Sequence, residues 1–98
     1  MIKYFYVDES PYYPNKYAIR LNHESFGFKE FRGSYNCIPA KLMMLSYANY
    51  LRFCRDNYGA ELYGKNKKYP IALFNDKGKA EKLVKELNRR AAAVVGIK

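Results

Sequence analysis

His23, Glu24 and Ser25, together with Cys37 and Cys54, are the residues of this 98-residue chain whose types suit nucleophilic chemistry. A cysteine thiolate activated by a histidine base makes a covalent catalyst, and His23 is the only histidine. The run His23-Glu24-Ser25 does not itself assemble a triad, because successive residues of a strand or turn point in different directions. One histidine and two cysteines without CxxC spacing also fall short of a structural zinc set. The nine acidic residues show no pair spaced as in glycosidase or two-metal chemistry. These observations predict a protein that is not an enzyme and that carries no metal or cofactor, with a Cys/His enzyme as the remote alternative.

Two short motifs bear on nucleotides. Gly59-Ala60-Glu61-Leu62-Tyr63-Gly64-Lys65 has the spacing of a phosphate-binding loop, in which glycine amides cradle phosphates and the lysine reaches the terminal ones. Asn66 stands where Ser or Thr would hold magnesium, and a helix rather than a strand is expected before the segment. It therefore reads as a helix C-cap at Gly59 and a hairpin turn from Gly64 to Lys67. Phe26-Gly27-Phe28-Lys29-Glu30-Phe31 resembles the core of the strand motif with which RNA-recognition domains stack bases. The resemblance spans six residues. Glu24, Ser25 and Lys29 depart from the pattern and no helix precedes, so the family is not assigned. Alternation places Phe26 and Phe28 on one face as a candidate stacking surface, and Tyr4 with Tyr6 opposite Phe5 with Val7.

Charge supplies the broader signal. Lys and Arg number 18 against nine acids, a net charge of +9, and polyanions are the default partners of such a chain. Residues 61–98 hold ten of the bases and four of the acids, so two thirds of the excess lies there. Lys65, Lys67 and Lys68, flanked by Tyr63 and Tyr69, combine point charges with aromatic faces suited to phosphate contact and stacking. The plainer reading of that run is a solvated hairpin tip that protects an edge strand. Lys82 and Arg89 extend the basic surface along the outer face of the C-terminal helix.

These residues are positioned by elements that the pattern predicts. Ile2 to Val7 is almost wholly β-branched or aromatic and reads as a strand; turn residues follow at Asp8 to Pro11 and at Pro14-Asn15. Lys16 to Asn22 alternates with Tyr17, Ile19 and Leu21 on one face and completes a hairpin. A third strand is expected at Ser25 to Arg32. Pro39 suits a first helical turn, and the run to Tyr58 has no further breaker, so it reads as one helix. Met43, Met44, Tyr47, Tyr50, Leu51, Cys54 and Tyr58 form its broad apolar side, wide enough to suggest a homodimer through 39–58. Strands at Ala60 to Gly64 and Tyr69 to Phe74 then lead to a second helix. Asp76 caps it, Gly96 stops it, and Ala80, Leu83, Val84, Leu87, Ala91 and Val94 form its buried stripe. On its outer face, Lys82 with Glu86 and Glu86 with Arg90 stand one turn apart.

The expected architecture is a single α+β domain over 1–98. It has a small antiparallel or mixed sheet of three to five strands and two helices on one face, in the order β-β-β-α-β-β-α. No signal peptide or membrane span is read, and the cysteines are expected as free thiols in the cytoplasm. The favoured function is a binding protein whose basic, Tyr-rich surface engages nucleic acid or a nucleic-acid-containing assembly. The alternative is an inhibitor or adaptor docking on an acidic protein, as a phage-type host-takeover or anti-defence protein does.

Overall fold

Alternation in the first hairpin sorts its side chains as the sequence requires. In the computed structural model, which describes residues 4–22, 37–64 and 70–95, β1 is Phe5–Glu9 and β2 is Tyr17–Leu21. They pair antiparallel, with Phe5 opposite Leu21, Val7 opposite Ile19 and Glu9 opposite Tyr17. β1 runs through Asp8 and Glu9, which the sequence pattern assigns to the turn. The Ser10 N–H donates to the Lys16 carbonyl at 2.8 Å and so continues the ladder past both. Asn15 then turns the chain at φ 64°, a conformation asparagine tolerates better than most residues. His23, the strand expected at 25–32 with Phe26 and Phe28, the run Lys65, Lys67, Lys68 and Tyr69, and the stop at Gly96 lie outside the described residues.

The helix expected over 39–58 is two. α1 (Ile38–Leu42) ends where Met44 adopts φ 59°; the Met44 N–H donates to the Lys41 carbonyl and the Leu45 N–H to the Ala40 carbonyl, at 3.1 and 2.9 Å. This is a Schellman closure with methionine at the position usually held by glycine, so the break carries no glycine or proline signal. Ser46 then caps α2 (Tyr47–Tyr58), its side chain accepting from the Asn49 N–H at 3.2 Å. Gly59, at φ 66°, ends α2 and leads directly into β3 (Ala60–Tyr63), the C-cap expected in place of a phosphate loop. The wide apolar side of the helix is covered in part, with Met43, Tyr47 and Tyr58 half-buried against the core. Tyr50, Leu51 and Cys54 are buried in the core, while Met44, displaced by the break, is 88% exposed.

β4 (Ile71–Phe74) pairs antiparallel with β3, and the sheet order is β1-β2-β4-β3. α3 (Lys77–Val95) follows, with the Asp76 carboxylate accepting from the Gly78 N–H at 2.8 Å. Ala80, Leu83, Val84, Leu87 and Ala91 are buried as expected; Val94 is half exposed, because the stripe outruns the sheet that it covers. The helices share one core with the sheet face that carries Phe5, Ala60 and Phe74, and Val7, Tyr17, Ile19, Leu21, Leu62 and Ala72 pack against it. Among the described residues the result is an α+β fold of four antiparallel strands and three helices in the order β-β-α-α-β-β-α. Tyr4 is buried and belongs to this core, whereas Tyr6 is 44% exposed. No described helix is long and apolar enough to cross a membrane.

The two hairpins meet narrowly. Between β2 and β4 the register holds a single pair, Tyr17 opposite Phe74. A polar clamp reinforces that joint: the Lys16 ammonium bonds the Asn75 side chain and lies 3.2 Å from Glu61, while Asn75 Nδ2 donates to Glu61 at 3.0 Å.

Candidate nucleic-acid interface

The basic residues of the second helix gather where its spacing dictates. Lys82, Lys85 and Arg89 recur at i, i+3 and i+7 and so share one stripe of α3, spread over about 10 Å of helix axis. With Lys77 they line a broad, shallow groove of about 1110 Å³ between α3 and β1, whose other walls include Tyr6, Val7 and Tyr58. Two of the residues singled out from sequence, Lys82 and Arg89, are therefore brought to one site.

Their charges are not equivalent. Of the two expected pairs, Glu86 with Arg90 forms, at 2.8 Å, and Lys82 with Glu86 does not; Arg89 instead gives Glu86 its second partner, at 2.6 Å. Those bonds, Arg89's first, hold the Glu86 carboxyl down at about 2. Guanidinium forks fit a carboxylate in two places at once, which an ammonium does not, so the arginines take the acid. Among the described residues, Lys77, Lys82 and Lys85 are exposed and make no ion pair.

The groove's strand wall is β1, which among the described residues pairs only with β2. Bonds from Asn22 N–H to the Tyr4 carbonyl and from Ser10 N–H to the Lys16 carbonyl bracket the β1–β2 ladder, both at 2.8 Å. By alternation, Tyr6 and Asp8 turn their backbone groups towards β2, and Phe5, Val7 and Glu9 turn theirs outward. Asn88 of α3 takes the first outward position: its Oδ1 accepts from the Phe5 N–H at 2.7 Å and its Nδ2 donates to the Phe5 carbonyl at 3.2 Å. The sequence signal for this bond is a lone asparagine within an otherwise helical stripe, which periodicity alone passes over.

Tyr63 stands apart from that groove. Its hydroxyl donates to Glu61 at 2.7 Å, and its ring lies 4.4 Å from that of Tyr13, which folds back from the β1–β2 turn. Glu61 also accepts from Asn75 and Lys16, and these bonds, Asn75's foremost, bring its carboxyl down to about 2. One face of Tyr63 is thus covered by another tyrosine.

On the sheet face away from the helices, Tyr6 stands opposite Arg20, and both are exposed. Beyond the Tyr17–Phe74 joint, β2 and β4 diverge around a cavity of about 480 Å³. Tyr6, Tyr12, Arg20, Tyr47, Tyr50 and Ile71 line it, so Tyr6 borders both the cavity and the basic groove. Burial pushes the Tyr47 phenol up to about 12 and the Tyr50 phenol well above its ordinary range. Both are therefore neutral hydroxyl groups at neutral pH. None of these cavity residues stands out as a site in the sequence, because the seam exists only once two distant hairpins meet.

Cys54 is poorly placed for nucleophilic chemistry. Cys37 and Cys54 are free thiols, but Cys54 is fully buried, and that burial raises its thiol to about 11. A thiol held so far above neutrality supplies almost no thiolate. Among the described residues, no group of three His, Cys, Asp or Glu side chains is placed to hold a metal ion. No family model, no curated protein and no solved structure matches this chain.

Proposed function

We propose that this is a non-enzymatic binding protein that engages nucleic acid through the groove between α3 and β1. The observation that carries the reading is the stripe Lys82, Lys85 and Arg89 in a groove that Glu81 and Glu86 also line, with two ammonium groups in no ion pair among the described residues and an exposed tyrosine on the strand that forms the other wall. Lysines in a row suit the phosphates of a polynucleotide, and an aromatic face beside them suits a base. Lys65, Lys67 and Lys68 add to the same overall charge and belong to the proposal as a second phosphate-binding element.

Titration of labelled single- and double-stranded oligonucleotides across a salt series tests it. Wild-type protein is expected to bind at low salt, with log K falling linearly against log salt. Replacing Lys82 and Lys85 by Ala is expected to flatten the slope by about 0.7 to 0.9 for each phosphate that is no longer neutralised. The Lys65, Lys67 and Lys68 triple Ala variant reads the second element in the same way. Absence of any affinity at low salt overturns the reading and leaves an acidic protein surface as the class of partner these charges fit.

A further inference from the structure

Among the described residues, the two hairpins are joined at one register pair, so backbone groups of β2 beyond it have no partner in β4. In β2, Ala18 and Arg20 turn their backbone groups towards β1, where they stand opposite Asp8 and Tyr6. Tyr17, Ile19 and Leu21 therefore turn theirs towards β4, but among the described residues only Tyr17 has a register partner there. The cavity occupies this gap, with Ile19, Leu21 and Ala72 in its wall.

We propose that the seam cavity is a base pocket, taking one unpaired nucleobase from a single strand whose phosphates run along Lys82 and Lys85. The proposal rests on the nucleic-acid reading above and narrows it to single strands. Its volume, about 480 Å³, lies within the roughly 300–1,000 Å³ typical of small-molecule sites. Its walls carry four tyrosines, and Arg20 is the sole charged residue among the described lining. Aromatic rings and a guanidinium plane stack on any base, while strand edges offer the alternating donors and acceptors that a base edge needs.

Exposure points the same way. Tyr6, Tyr12 and Ile71 are 44%, 85% and 38% exposed, and all three line this one cavity. Large apolar side chains grouped at the mouth of a concave site mark a binding surface more than scattered ones do. Tyr6 links the two halves of the proposed path. It lies on the edge strand and borders both the basic groove and the cavity, so a strand crossing β1 passes from the lysines to the pocket. A base held within a duplex is not available to such a pocket.

The test compares a labelled oligothymidylate of about twelve nucleotides, an abasic deoxyribose-phosphate oligomer of equal length and a duplex. The oligothymidylate is expected to bind about tenfold or more tighter than the abasic oligomer, and tighter than the duplex. Ala18→Leu, which fills the cavity from the sheet, is expected to abolish that preference while leaving abasic affinity and its salt slope unchanged. Arg20→Ala, at an exposed position, is expected to reduce the preference and gives the same readout if the leucine variant fails to fold. Equal affinity of wild-type protein for base-bearing and abasic oligomers overturns the pocket while leaving the basic groove intact. So does a preference retained in both variants. Failure to bind any oligomer overturns the nucleic-acid reading itself.

Discussion

Asn88 holds Phe5 as a neighbouring strand would: one side-chain amide closes both the N–H and the carbonyl of the edge residue, at 2.7 and 3.2 Å. The same Oδ1 accepts from the Tyr4 N–H at 2.8 Å, so a single residue of α3 fixes the start of β1. An edge strand left bare is a template for unwanted pairing, and here the helix that covers the sheet also blocks the edge at its first open position.

Removing that amide takes a hydrogen bond from each of the partly buried Tyr4 and Phe5 N–H groups. Asn88→Ala is expected to destabilise the protein by about 1–3 kcal/mol, whereas Lys85→Ala, exposed on the same helix, is expected to lie within about 0.5 kcal/mol of wild type. Urea unfolding of the two variants decides the matter. Equal midpoints would show that the amide does not hold the strand.

Met44 carries a backbone conformation that costs an L-residue roughly 1–2 kcal/mol, and its side chain is 88% exposed, so it has little packing to lose. Met44→Gly removes the steric cost but loosens the unfolded chain by about 0.5–1 kcal/mol. The net expectation is a gain of up to about 1.5 kcal/mol, read as a higher urea midpoint with unchanged m. A lower midpoint contradicts the left-handed turn between α1 and α2.

Stability at alkaline pH has a definite sign. Burial raises the Cys54 thiol from 9.0 to about 11 and the Tyr47 phenol from 10.0 to about 12, and it raises Tyr50 as well. The folded state therefore holds protons that the unfolded state releases, and stability falls as pH rises above 9 towards 12. Thermal melts across that range should show the decline. In Tyr47→Phe the loss of one titrating group should make it shallower, even if the missing hydroxyl bond to the Pro70 carbonyl lowers stability at every pH. A decline as steep as that of wild type means that Tyr47 does not contribute to it.

Sequence periodicity reveals the elements whose burial is local. The stripe Ala80 to Ala91, the alternation of Tyr17, Ile19 and Leu21, and the Asp76 cap all follow from spacing along one segment. The break after Leu42 is illegible because Met44 performs a turn usually announced by glycine. The basic stripe with Lys82 and Arg89 is legible, since helix phase alone defines it. Which cations stay without an ion pair is not, because Glu86 has more than one partner within a turn's reach and side-chain shape decides between them. Tyr6, Arg20 and the seam depend on where the second hairpin docks, a relationship between distant segments, Tyr17 against Phe74, that no local pattern encodes.

That docking divides the cohesion of the sheet between two kinds of bond. Each hairpin has its own ladder, β1–β2 within residues 5–21 and β3–β4 within residues 60–74, and the two ladders share one rung. Across the joint that rung is supplemented by the polar side chains of Lys16, Glu61 and Asn75 and by α3, which packs on strands of both hairpins. Each hairpin is thus held by its backbone, whereas the attachment of one to the other depends largely on side chains.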